Sequence, residues 1–278
     1  MSEKPTEIEF KFKISEDKIQ RAIDNVNRNE KFIIVPTFEV YNDEYFQKDK
    51  KSGFLRKRTV FTFDNKDEKS SDKSKRYPRV DMTPEQNYIQ FLKCGMCMFN
   101  QNPKTFIFDT KIKETYYTLK KKNIVNGVEN NEETEIRSNE NGNKFMSKMI
   151  EDNYKPFFNK TKRKAFIVEP ICDGINLFPG CRVEIVSVSE YNTDIVNDFY
   201  AEIEFADSRV LFRDERYENL THDAIMNSLN MLPYLIFGIP YEDIEFESRS
   251  WDEIIRQQKT YKVFDDNAVN INFGVSNG

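Results

Sequence analysis

The first hydrophobic pattern in the chain has a period of two. Ile8, Phe10, Phe12 and Ile14 alternate with Glu7, Glu9, Lys11 and Lys13, which predicts a strand with one apolar and one charged face. Ser15 then precedes EDKIQRAIDNVNR, where Ile19, Ala22, Ile23 and Val26 fall on one stripe of a capped amphipathic helix. Further strands are predicted at 40–47, 53–61, 88–93, 105–113, 115–122, 132–137, 162–168, 181–188 and 199–205. Gly53 lies in a lysine-rich turn, and Asn-Gly pairs at 126–127 and 141–142 read as turns. Helices are predicted at 221–232 and 250–258. Many strands, few helices and no strand–helix–strand alternation point to an antiparallel sheet, closed as a barrel or split as a sandwich.

Composition narrows the class. A charged fraction of 32% could belong to a disordered chain, but 24 Phe and 13 Tyr supply a core that such a chain lacks. No apolar run approaches the roughly 20 residues of a membrane helix. MSEKPTEIEF has no apolar leader segment, so a cytoplasmic protein is expected. Cys94 and Cys97 form a CxxC, but Cys172 and Cys181 are a poor second half for zinc, and reduced thiols are the better reading. One histidine, His222, leaves any catalysis to carboxylates, Lys and Arg. The polar stretch 64–79 reads as a solvated loop, with a basic contact to nucleic acid as its alternative. One domain is expected over 1–260, with a charged insertion near 62–105 and a loose tail at 261–278.

The charged strand faces carry the chemistry. Glu202 and Glu204 share a face opposite Phe199, Ala201, Ile203 and Phe205, while Glu133 and Glu135 align with Arg137. Arg56 pairs with Arg58, Lys111 with Lys113, and Lys120 with Lys122. A single strand of this kind is an ordinary solvated face. Sorting by sign across several strands is less ordinary. Two glutamates at i and i+2 stand only about 7 Å apart at the strand rise, so ionising both is costly without a cation. Facing pairs would make a hard-oxygen site for Mg²⁺ or Mn²⁺. Arg and Lys on the remaining wall would suit a polyanion, most naturally a chain of phosphates. In a closed barrel the charges would point inward and the Phe-rich faces outward beneath helices.

Several motifs, in order, resemble those of the CYTH superfamily, the triphosphate tunnel metalloenzymes. Glu7-x-Glu9-x-Lys11 resembles its ExExK opening, and Leu55-Arg56-Lys57-Arg58 its Arg-x-Arg strand. TYYTLK ending at Lys120 resembles its TLK strand, and the pair Glu133/Glu135 follows as in the family. TKRKAF with Arg163 is similar to a stretch of the inorganic and thiamine triphosphatase branch, and AEIEF (201–205) to the closing ExE strand. Two departures stand out. Glu184 is followed by Val186 where the family often has a second acid, and the segment 62–105 is long. Lys111, Lys113 and Lys120 are alternatives for the tunnel lysine, with Lys120 favoured. Lys160 and Lys162 lie on the opposite strand face from Arg163.

The resemblance implies a mainly β (α+β) fold, an eight-stranded antiparallel closed β-barrel with helices packed outside. It implies a divalent-metal-dependent triphosphatase, a phosphoric anhydride hydrolase acting on tripolyphosphate, a nucleoside triphosphate or another organic triphosphate. Glu7, Glu9, Glu184, Glu202 and Glu204 would hold Mg²⁺ or Mn²⁺. Lys11, Arg56, Arg58, Lys120 and Arg163 would grip the phosphates, with Lys11 also stabilising charge in the transition state. Glu133 or Glu135 would hold metal-bound water or act as base. The alternatives are an RNA 5′-triphosphatase, whose partner would be the RNA 5′ end, a class IV-type adenylyl cyclase, and a non-catalytic binder of triphosphates or nucleotides.

Overall fold

The computed structural model describes residues 7–49, 53–65, 84–94, 108–121, 124–125, 128–137, 140–171, 181–190, 198–206 and 222–257. Strands are β1 (Glu7–Ile14), β2 (Phe32–Gln47), β3 (Phe54–Asn65), β4 (Phe108–Lys121), β5 (Ile124–Val125), β6 (Val128–Arg137), β7 (Lys155–Pro170), β8 (Cys181–Glu190) and β9 (Phe199–Ala206). Helices are α1 (Glu16–Arg28), α2 (Pro84–Cys94), α3 (Glu140–Glu151) and α4 (His222–Phe237). The strands form one sheet in the order β1-β9-β8-β7-β2-β3-β4-β6-β5, and every pairing is antiparallel. The sheet curls round until β1 also meets β6, through Glu7↔Asn131, Ile8↔Asn130 and Glu9↔Glu129. Eight strands thereby follow one another in a circuit, with β5 appended to β6. This first compact unit ends at Ser248.

The alternation read in β1 and β9 decides the layers. Ile8, Phe10 and Phe12, with Ala201, Ile203 and Phe205, turn outward into a core completed by Ile19 and Ile23 of α1 and Leu229 and Ile236 of α4. Phe91 and Leu92 of α2 join the same core. A smaller cluster of Phe46, Leu55, Tyr117 and Tyr154 lies against Phe145, Met146 and Met149, the last three on α3. Among the described residues no helix is long and apolar enough to cross a membrane.

Three sequence-based expectations need correction. YIQFLK (88–93) is helix, not strand: Tyr88, Phe91 and Leu92 are buried at helical spacing, and Pro84 opens the first turn, where its missing N–H costs nothing. Asn141-Gly142 lies inside α3 rather than in a turn. The glycine is there for space, since a Cβ would run into the Arg137 carbonyl oxygen. The segments 105–113 and 115–122 belong to one continuous β4 over their described part. β2 and β7 also begin earlier than predicted. β2 carries a register shift between Pro36 and Glu39, beside which Phe38 has φ 44. A bulky residue rarely adopts that conformation, and here its ring is held between Tyr88 at 5.5 Å and Phe91 at 5.3 Å.

The predicted C-terminal helices are present. α4 runs to Phe237 and stops at Gly238, whose φ of 65 suits the left-handed residue that ends many helices. A second compact unit begins at Arg249 and contains a helix at 251–257. Ser250 and Glu253 form a reciprocal capping box there: Glu253 N–H donates to Ser250 Oγ at 3.3 Å, and Ser250 N–H to Glu253 Oε2 at 2.7 Å. Of the expected loop 64–79, Asp64 and Asn65 instead continue β3, paired with β4; its remainder, the turn at 126–127, Cys97, Cys172 and the tail 261–278 lie outside the described residues.

Candidate active site inside the barrel

Because the Phe-rich faces turn outward, the charged faces converge. Glu9 and Lys11 of β1 stand directly opposite Glu204 and Glu202 of β9, and Glu202 stands opposite Glu184 of β8. This is an acidic wall. The basic side chains are Lys160, Lys162 and Lys164 of β7, the strand next to β8, with Arg56 and Arg58 of β3 and Lys120 of β4 farther round the circuit. Lys11, Lys120, all three β7 lysines, Glu184, Glu202 and Glu204 are buried.

The acidic and basic side chains are joined by ion pairs. The Lys162 ammonium bridges Glu184, at 3.0 Å, and Glu202. Lys164 bridges Glu39 at 2.8 Å and Glu184 at 3.2 Å, and Arg182 reaches Glu204 and, at 3.6 Å, Glu184. Lys120 lies 3.4 Å from Glu9. Burial by itself would push the Glu184 carboxyl up, but Lys162, Lys164 and Arg182 together hold it well below its ordinary value. Burial likewise opposes the Lys162 charge, and Glu184 and Glu202 overcome it and raise its pKa.

A second cluster was not anticipated from the sequence. Asp43 of β2 has Arg58 as its register partner on one side and Lys160 on the other. Its carboxylate is 0% exposed and accepts two bonds from Arg58, at 2.8 and 2.9 Å. Lys160, 2% exposed, lies 3.5 Å away, and the Tyr45 hydroxyl donates at 3.3 Å. Burial would raise the Asp43 carboxyl, but Arg58 and then Lys160 hold it far below the usual carboxylate range. Burial pushes the Lys160 ammonium down; Asp43 opposes this, Arg58 and Lys162 reinforce it, and the pKa falls to about 7.

The remaining predicted residues divide. Lys120, the favoured of three tunnel lysines, does face the interior, and Arg56 donates to Thr118 Oγ1 at 3.1 Å. Glu135 is half-exposed at the edge of the interior, 3.9 Å from Arg56. It lines an open cleft of about 460 Å³ with Glu39, Tyr41, Arg58, Glu114 and Tyr116 among others. The side chains of Glu7, Glu133, Lys111 and Lys113 lie outside the description. Arg163 is a correction. It alternates with Lys162 and Lys164, so it points to the other face of β7, where Nη1 donates to Ser189 Oγ at 2.8 Å. Lys160, Lys162 and Lys164 line the interior in its place. The stretch KTKRKAF has basic residues on both faces, so alternation alone did not say which face turned inward.

The donor set can be tested against the expected divalent metal. Glu9 and Glu204, opposite one another in register, are a like-charge pair that a cation would relieve, and Glu202 lies one pair along. Such oxygen donors fit Mg²⁺ or Mn²⁺ in kind. Among the described residues no three His, Cys or acidic side chains are gathered closely enough to hold a metal ion. The reason is visible: Lys120, Lys162 and Arg182 already reach these carboxylates.

No family model and no curated protein matches the sequence. Solved structures do resemble the fold. A Pyrococcus horikoshii OT3 protein is 15% identical, with 91% of this chain and 99% of that one covered at a TM-score of 0.49. The Mimivirus capping enzyme triphosphatase is 11% identical, with 83% and 88% covered at 0.40. A chain of the Schizosaccharomyces pombe Mediator head module is 9% identical, with 86% and 96% covered at 0.42. In its sequence motifs the chain resembles the CYTH superfamily.

Proposed function

We propose that the protein is a divalent-metal-dependent triphosphatase that takes a triphosphate chain into the barrel. One observation carries this reading: a dense set of Lys, Arg and Glu side chains from six strands is buried or partly buried in a single interior, with Glu concentrated on β1, β8 and β9 and basic residues on β3, β4 and β7. Burying paired charges gains little stability, and apolar side chains of similar volume often do as well or better. A barrel selected for stability alone would fill its interior with Val and Leu. Sorted charges are instead what a phosphate chain with a cation requires.

Arg56, Arg58, Lys120, Lys160 and Lys162, with Lys11 and Lys164, supply ammonium and guanidinium donors for the phosphate oxygens. Arg offers paired donors and Lys point charges. These groups stabilise the charge that shifts onto the leaving oxygens during in-line attack. Glu9, Glu202 and Glu204, with Glu7 and Glu184, would hold Mg²⁺ or Mn²⁺, which contributes phosphate charge neutralisation and water activation. A triphosphate entering the interior would exchange with the carboxylates for the same lysines. Glu135, half-exposed beside Arg56, is the accessible carboxylate for accepting a proton from attacking water.

The test is phosphate release from tripolyphosphate, ATP, thiamine triphosphate and 5′-triphosphorylated RNA, in Mg²⁺ and in Mn²⁺. Folded Glu9→Ala and Arg56→Ala variants should each lose at least about a hundredfold in kcat/KM, the order seen for loss of one charge-stabilising group. Parent-like rates in both variants would rule the reading out. A second reading, a non-catalytic triphosphate binder, is favoured by the bridging of Glu184 and Glu202 by Lys162. It predicts tight binding without product in either metal.

A further inference from the structure

At one stretch the interior lining changes from charged to aromatic. Phe54, Tyr45 and Phe158 stand on the adjacent strands β3, β2 and β7, each two residues along the same face from Arg56, Asp43 and Lys160 respectively. The Tyr45 ring centre is 5.3 Å from Phe54 and 5.6 Å from Phe158. Simple alternation would turn Phe157 away from this group. A register shift prevents that: Tyr45 pairs with Phe158 and Phe46 with Pro156, which leaves Phe157 as the extra residue of a bulge. Bulges re-aim side chains in this manner. The Phe157 ring lies 6.2 Å from Tyr45 yet remains 39% exposed.

Two of the interior lysines adjoin these rings. The Lys160 ammonium is 5.7 Å from the Tyr45 ring centre, and Lys120 is the register partner of Phe54. We infer that Phe54, Phe157 and Phe158 form a stacking surface for the planar heterocycle of an organic triphosphate, a nucleobase, whose phosphates lie on Arg56, Lys120 and Lys160. The inference rests on the triphosphate reading and narrows its substrate class. An inorganic tripolyphosphate has no aromatic face and gains nothing from exposed phenyl rings. A base stacked on such a ring gains about fivefold or more in affinity, independently of its hydrogen-bonding edge.

Phe157 is the residue to change, because its exposure lets it be truncated with little effect on folding. ATP, a 5′-triphosphorylated oligoribonucleotide and tripolyphosphate are compared in the parent, Phe157→Ala and Phe157→Trp proteins, by KM for hydrolysis and by calorimetric Kd. Truncation should weaken ATP or the oligoribonucleotide by about fivefold or more, leave tripolyphosphate unchanged, and be rescued by Trp. Loss on ATP points to the free nucleotide, and loss on the oligoribonucleotide alone to an RNA end. Equal change on all three compounds, or no change on any, overturns the inference. If the parent hydrolyses nothing, the triphosphatase reading fails, while the Kd comparison still decides whether the rings stack a base.

Discussion

Replacing Asp43 by Asn is the sharpest perturbation of the buried charge network. The two side chains are nearly the same size, so the change removes charge and little volume. What remains is Arg58, 16% exposed, and Lys160, 2% exposed, with no carboxylate between them. Removing one partner of a buried ion pair typically costs about 3–5 kcal/mol, because the survivor's charge is stranded. Arg58 keeps its charge and one bond to the Asn oxygen, while Lys160, without the anion that supported its ammonium, gives up its proton, so a loss of about 3 kcal/mol is expected. That is a large part of the roughly 5–15 kcal/mol of a typical domain. Urea unfolding followed by far-ultraviolet circular dichroism measures it. The diagnostic arm is the double variant Asp43→Asn/Lys160→Met, in which the stranded buried amine is gone as well. The double variant should be more stable than Asp43→Asn alone, with a coupling of about 1 kcal/mol or more. A loss below about 1 kcal/mol in Asp43→Asn, or a double variant less stable than the single one, would refute the account of Asp43 as the shared counter-ion.

Two further outcomes follow from the same geometry. Lys162→Met should abolish most triphosphate hydrolysis, whereas Arg163→Ala, on the outer face of β7, should lower stability but leave KM for tripolyphosphate within about twofold; steady-state kinetics on the folded variants separates them. Lys160, with its pKa drawn down to about 7 in the fold against 10.5 ordinarily, binds fewer protons folded than unfolded between those values. Stability should therefore rise with pH across that window, and urea titrations of the parent and Lys160→Met should show the parent's rise and a flatter variant.

How much of this could be read from the chain depended on contrast between strand faces. EIEFKFKI and AEIEF are unambiguous, because every apolar residue falls on one side and every charge on the other; β1, β9 and the acidic wall were visible in them. KTKRKAF lacks that contrast, and Arg163 was placed on the wrong side. YIQFLK satisfies both a strand and a helix pattern over six residues, and packing against Phe38 and Phe166 decides for helix. Asp43 gave no signal. It sits in VYNDEYFQ as one polar residue among several, and its significance comes from Arg58 and Lys160, which only strand pairing brings to either side. The bulge at Phe157 is equally non-local, since it exists only in the register of β7 against β2.

The short β1–β6 seam bears on how the chain reaches this state. β1 pairs with β6 from mid-chain and with β9 from far later, so both contacts join segments more than a hundred residues apart. Such distant pairings slow folding, because the entropy of closing long loops is lost before the contacts repay it. Until then β1 and β6 are open edges, the sites where unfinished sheets recruit other molecules. The seam places Glu9 opposite Glu129. Two antiparallel copies of β1 registered about Phe10 would set Glu7 against Lys13 and Glu9 against Lys11, an attractive arrangement, so it is the closing of the seam itself that takes this edge out of reach of a neighbour.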